Sequence, residues 1–221
     1  MNSQILMPLM DKSLTKNQFI IEKKLSVIVS DKIDGMLGQA FECMEDGDIP
    51  AALKLYDLVL KKEPSNIRAL VDKGATLQNI GKIKLAIKSY NKALSISPDN
   101  LDALLNKGAA LHSDEQFHDA IKCYDKVLLI DKKSTMALAY KGLSLGELGN
   151  LQDAIKHFKK ALSIDKYYDL ANISKELAQD LLKSIKKEKS KTQQHRQVLV
   201  LGYFVFHLIQ RILYVSNYDV L

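Results

Sequence analysis

The sequence predicts an all-α protein, an α-solenoid of four helix-turn-helix repeats closed by a C-terminal capping helix. Three observations lead there. First, the window 67–100, IRALVDKGATLQNIGKIKLAIKSYNKALSISPDN, can be laid on residues 33–66, 101–134 and 135–168 without a gap, a period of 34 residues. A fixed period with matching chemistry is the signature of a repeat array. Second, the matches fall at defined window positions: Ala40, Gly74, Gly108 and Gly142; Ala52, Ala86, Ala120 and Ala154; Tyr56, Tyr90, Tyr124 and Phe158; Val59, Ala93, Val127 and Ala161. Third, apolar residues recur at helical spacing, and no alternating runs of strand formers occur.

Each window reads as two helices. In residues 67–100 the first covers about 68–79 and the second about 84–96. Gly81 between them supplies the positive φ that ends a helix. Gly47 and Gly149 hold the same slot, and Glu115 breaks the pattern, so the third turn is expected to be less well formed. Ser97-Pro98-Asp99 stops the second helix, because proline cannot continue it. A glycine inside a helix costs about 1 kcal/mol against alanine, so Gly74, Gly108 and Gly142 need a reason. The expected reason is a close crossing over Ala86, Ala120 and Ala154 on the paired helices.

Residues 14–31 precede the array and include Phe19, Ile20, Ile21, Leu25 and Val27, enough for a helix that covers the first repeat. Residues 1–13 lack a basic start followed by an apolar block, so no secretory signal is expected. After the fourth repeat, Leu170, Ile173, Leu177, Leu181 and Ile185 form an amphipathic stripe over 169–187, the capping helix. Residues 188–221 are a basic linker and an apolar tail. The block 198–206 is apolar, then His207, Gln210 and Arg211 interrupt it before 212–215. A spanning helix wants about 20 uninterrupted apolar residues. Three roles are open for this tail: packing or self-association, contact with a membrane, or none.

Composition narrows the function classes. The formal charge of +6 is concentrated in residues 183–196, where six cations face Glu188 alone, so the repeats are close to neutral. No aromatic residues interleave those cations, and no nucleic acid is expected as partner. Cys43 and Cys123 are the only cysteines and lie in different repeats, which suits two reduced side chains of a cytoplasmic protein. His112, His118, His157, His195 and His207 form no ligand motif, and no phosphate loop or nucleophile signature occurs. No enzyme activity, metal or cofactor is expected.

The run of small residue, aliphatic, small residue, aromatic, small residue and proline resembles the tetratricopeptide repeat over residues 33–168. The chain departs from that pattern in places. Met36, Leu70, Leu104 and Leu138 replace the first-helix aromatic, and Lys132 and Lys166 replace the proline kept as Pro64 and Pro98. The resemblance implies a protein-interaction scaffold that binds a peptide segment of a partner in its concave groove, lined by the first helices. The implied inward positions hold Asp34, Leu37, Phe41, Met44 and Glu45 in the first repeat, and Arg68, Val71, Asp72, Ala75, Gln78 and Asn79 in the second. They hold Asp102, Leu105, Asn106, Ala109, His112 and Ser113 in the third, and Met136, Ala139, Tyr140, Leu143 and Glu147 in the fourth.

On that face Phe41, Val71, Leu105, Met136, Tyr140 and Leu143 are expected as exposed apolar groups in want of a partner. Five acids, Asp34, Glu45, Asp72, Asp102 and Glu147, stand against Arg68, so the expected ligand is a basic-apolar peptide. Some members of the family clamp acidic chaperone tails with Lys, Arg and Asn; only Asn106 has a counterpart here, which disfavours such a ligand. The alternative is a membrane-associated assembly factor anchored through residues 198–215.

Overall fold

The computed structural model describes residues 16–189. Among them lie nine helices and no strand: α1 (Lys16–Glu45), α2 (Ile49–Lys62), α3 (Ile67–Asn79), α4 (Ile83–Ile96), α5 (Leu101–Ser113), α6 (Phe117–Ile130), α7 (Thr135–Glu147), α8 (Leu151–Ile164) and α9 (Asp169–Lys189). The all-α solenoid expected from the period is the observed architecture. The chain divides into two compact units, one ending at Pro64 and one beginning at Ser65.

The first unit holds α1 and α2. The segment expected to cover the first repeat is not a separate helix. It is the N-terminal part of α1, which runs on for 30 residues into the first repeat. Asp48 caps α2, its Oδ1 accepting from the Ala51 amide at 3.1 Å.

The second unit is built of helical hairpins α3–α4, α5–α6 and α7–α8, followed by α9. Within it α3, α5, α7 and α9 lie side by side, and each of α5, α7 and α9 also packs on the second helix before it. The caps explain where the first helices start. Asn66 and Asn100 accept through Oδ1 from the Ala69 and Ala103 amides at 2.9 and 2.8 Å. Ser134 Oγ accepts from the Ala137 amide at 3.3 Å. Such caps contribute about 1 kcal/mol each. Helices α4, α6 and α8 have no side-chain cap bond.

Inside each hairpin the aromatic residue is the largest buried group: Tyr90, Tyr124 and Phe158 have no exposed surface. A Cβ added to Gly74, Gly108 or Gly142 would lie 2.5 Å from a ring carbon of Tyr90, Tyr124 or Phe158 respectively. This corrects the expected crossing over Ala86, Ala120 and Ala154. Those alanines are fully buried, but the glycine is required by the ring. The Tyr90 hydroxyl donates to Gln78 Oε1 at 3.2 Å.

The turns correct a second expectation. Gly47, Gly81 and Gly149 have φ of 78°, 73° and 76°, and Glu115 adopts 59° in the same slot. Its turn carries the same two closing bonds as its neighbours. The Gln116 amide donates to the Leu111 carbonyl at 2.8 Å and the Glu115 amide to His112 at 3.0 Å. Around Gly81 the counterparts are Lys82 to Leu77 at 2.8 Å and Gly81 to Gln78 at 2.9 Å. The third turn is therefore fully formed. A non-glycine residue there costs about 1–2 kcal/mol in backbone strain.

Helix α9 packs as a fifth first helix. Its buried residues are Ala171, Ser174 and Ala178. Ala171 continues the series Ala69, Ala103, Ala137, and Ala178 continues Thr76, Ala110, Ser144, all buried. The expected stripe was placed slightly off this face, since Ile173 is exposed.

Replacing Glu115 with Gly should raise stability by about 0.5–1 kcal/mol in urea melts; a lower midpoint would mean the left-handed turn is not where the strain sits. Alanine at Gly108 should cost about 1–3 kcal/mol through overpacking on Tyr124. At Gly35, where an added Cβ meets nothing within 4 Å, alanine should instead stabilise by about 0.5–1 kcal/mol. Equal signs for the two glycines would sink the ring-contact account.

Candidate protein-interaction surface

The expected groove residues fall into two units and are described unit by unit. In the first, Leu37 is buried at 2% exposure and Phe41 stands out at 58%. The remaining residues lie on α3, α5 and α7 of the second unit.

Side-by-side packing of these three helices sorts their inner positions. The second position of each window points outward: Arg68, Asp102 and Met136 are exposed. The sixth is half-buried: Asp72, Asn106 and Tyr140. The fifth and ninth fill the seams between neighbouring helices. Val71 and Leu143 are buried at 8% and 6%, Ala139 is fully buried, and Ala75 and Leu105 are half-buried. The expectation that Val71 and Leu143 are exposed apolar groups is thus corrected, and Leu37, expected to line the groove, is likewise part of the core. Asn79 is exposed at the end of α3.

The apolar surface that remains is Met136 at 46% exposure, with Leu105 and Tyr140 half-buried beside it. Tyr140 stacks on Tyr124, ring centroids 6.0 Å apart, which fixes its orientation. Burial pushes its phenol pKa up. His112 is half-buried and acts as a joint between α5 and α7: its Nδ1 lies 2.9 Å from Oγ of the buried Ser144, and its ring meets Phe117 edge-on at 5.2 Å.

Charge on this face is also narrower than expected. The Glu147 carboxylate oxygens are buried, so Glu147 offers a ligand no carboxylate to contact. Asp72 and Asp102 remain, on adjacent helices. Arg68 Nε lies 3.7 Å from Asp72 Oδ2. Burial holds the Asp72 carboxyl above its ordinary pKa, Arg68 works against that, and the Asp102 charge adds to it. Two carboxylates on adjacent helices repel, and that repulsion favours the protonated form of Asp72.

The descriptor "TPR repeat" matches residues 79–114, and "Tetratricopeptide repeat" matches 101–134 and 137–168. No curated protein sequence matches the chain. Among solved structures, the crystal structure of MamA protein is 22% identical, with a TM-score of 0.62 over 75% of this chain and 97% of that one. MamA 41-end from Desulfovibrio magneticus RS-1 is 21% identical, with a TM-score of 0.58 over 74% and 98%. The Arabidopsis OM64 TPR domain is 22% identical, with a TM-score of 0.50 over 52% and 94%. At these identities the likeness shows the fold, that of a helical-repeat solenoid. Residues 79–134 and 137–168 thus carry tetratricopeptide repeats.

Among the described residues no helix is long and apolar enough to cross a membrane. Residues 198–215, the candidate anchor, lie outside the described residues.

The raised pKa of Asp72 has a testable sign. Its folded value exceeds the unfolded one, so ionisation costs the folded state more. Stability contributed by this residue is highest at low pH and is lost as pH rises from the unfolded pKa, 3.8, through the folded value. Asp72→Asn should therefore gain on wild type in urea melts at pH 7 relative to pH 3.5. A relative gain at pH 3.5 instead would mean that Arg68 outweighs burial.

Proposed function

We propose that the protein is a non-enzymatic interaction scaffold, and that α3, α5 and α7 bind a peptide segment of a partner in which Lys or Arg flanks apolar anchors. The observation that carries this reading is the stripe of accessible groups at the second and sixth window positions. It sets Met136 and Tyr140 on the same face as the acid pair Asp72 and Asp102, with Leu105 of the fifth position half-buried at the seam. The apolar groups suit an aliphatic or aromatic anchor, and the acid pair suits a cation next to it. Arg68 begins the stripe, Asn79 lies at the end of α3, and Asn106 offers an amide for backbone contacts.

The test is binding of a peptide array to the full chain at low and moderate salt. Basic-apolar peptides should bind best. Asp72→Lys should weaken them mainly through the association rate, with a loss that shrinks as salt rises. Leu105→Ala should weaken them by about 1–2 kcal/mol, independent of salt. If acidic peptides bind best and Asp72→Lys tightens them, the charge preference is wrong.

A further inference from the structure

The junction between α6 and α7 is closed by an ion pair: Lys141 Nζ lies 2.6 Å from Asp125 Oδ1, with the lysine side chain only 18% exposed. These are the seventh position of one window and the twenty-fifth of the one before. The seventh position is Gln39 in the first window and a lysine from there on, Lys73, Lys107, Lys141 and, on α9, Lys175. The twenty-fifth is Asp57, Asn91 and Asp125, and then Lys159. At the last junction the repeat register therefore sets a lysine where its lysine partner elsewhere has an acid or an amide.

A cleft of about 560 Å³ opens at this same junction, lined by Gln152, Ile155, Lys156 and Lys159 of α8 and Gln179, Leu182 and Lys183 of α9. Ile155 is nearly buried and Leu182 half-buried, so the cleft has an apolar floor. Three of its lining side chains are cationic and none is acidic. Lys156 and Lys183 are held by Asp153 and Asp180 at 2.8 and 2.9 Å, but all four side chains are more than half exposed. Such pairs are weak in water and yield to a better-placed carboxylate.

We propose that the α8–α9 cleft is a second binding site, for an acidic segment of another protein that carries an aliphatic anchor between carboxylates. The anchor would sit on Ile155 and Leu182. The carboxylates would reach Lys159 and one or both of Lys156 and Lys183, supplying the acid that the register omits. Residues 190–221 of this chain hold a single carboxylate side chain, Asp219, and no pair of acids about an aliphatic anchor, so the site calls for a different chain. An apolar floor of this size favours a side-chain anchor over a polyanionic surface, which would leave it unfilled. The preference is opposite in sign to that proposed for α3, α5 and α7, and the two sites are separable.

The probe is a fluorescein-labelled helical peptide of about 14 residues with Glu at i and i+4 around a central Ile, titrated with the full chain at low and moderate salt. Vesicles of phosphatidylcholine with phosphatidylserine and a Gln-for-Glu peptide run alongside. The acidic peptide should bind, with affinity falling as salt rises. Lys159→Glu should weaken it at least tenfold, and Lys159→Gln less. Thermal melts of both variants should match wild type, because Lys159 is an exposed side chain of α8. Asp72→Lys should leave this binding unchanged. Equal binding by Lys159→Glu, equal binding of the Gln peptide, or binding of the acidic vesicles without the peptide would each overturn the proposal.

Discussion

The fold depends on the contact between a glycine backbone and an aromatic ring inside each hairpin. Tyr90, Tyr124 and Phe158 are the largest wholly buried groups, and each lies where the first helix has no side chain to offer. Two helices with larger residues at both sites would have to separate, and the seams on either side would open with them. Everything on the outer surfaces inherits its position from this spacing. The inner helices pack side by side because their partners hold them at constant depth, and the stripe from Arg68 to Met136 lines up for the same reason. Tyr140 is placed at one further remove, stacked on the ring of Tyr124.

Much of this was legible in the sequence, and the limits are instructive. The period, the hairpins and the turns at Gly47, Gly81 and Gly149 could be read because each rests on a local backbone requirement. The partner of the glycines was misread because spacing gives the face of a helix, not which of two residues one turn apart reaches across. The strength of the Glu115 turn was misread for a different reason. The flanking helices and the two closing bonds to Leu111 and His112 hold the geometry, so one unfavourable residue strains the turn without abolishing it. The burial of Leu37, Val71 and Leu143 follows from packing between helices distant in sequence, which no single window reveals. The burial of the Glu147 carboxylate is of that kind too.

The same two levels separate the candidate sites. The stripe on α3, α5 and α7 could be anticipated because the resemblance to the tetratricopeptide repeat implies which positions face inward. The α8–α9 cleft arises where the pattern lapses: α9 runs on for 21 residues where the other first helices of the second unit stop at 13. A lapse carries no periodic signal, so this concavity became visible only in three dimensions. Its lysines stand out once the Lys141–Asp125 pair supplies the comparison.

The caps at Asn66, Asn100 and Ser134 blur the boundary of the repeating unit. In each case the last residue of one window closes the first turn of the next helix. The physical module is therefore offset by one residue from the unit read off sequence similarity. A gene segment duplicated in the sequence frame would leave its leading helix dependent on whatever residue happened to precede the insertion. Shifted by one codon, the same segment would arrive with its own start signal. Lengthening such an array by recombination should be tolerated in one reading of the 34-residue block and penalised in the other.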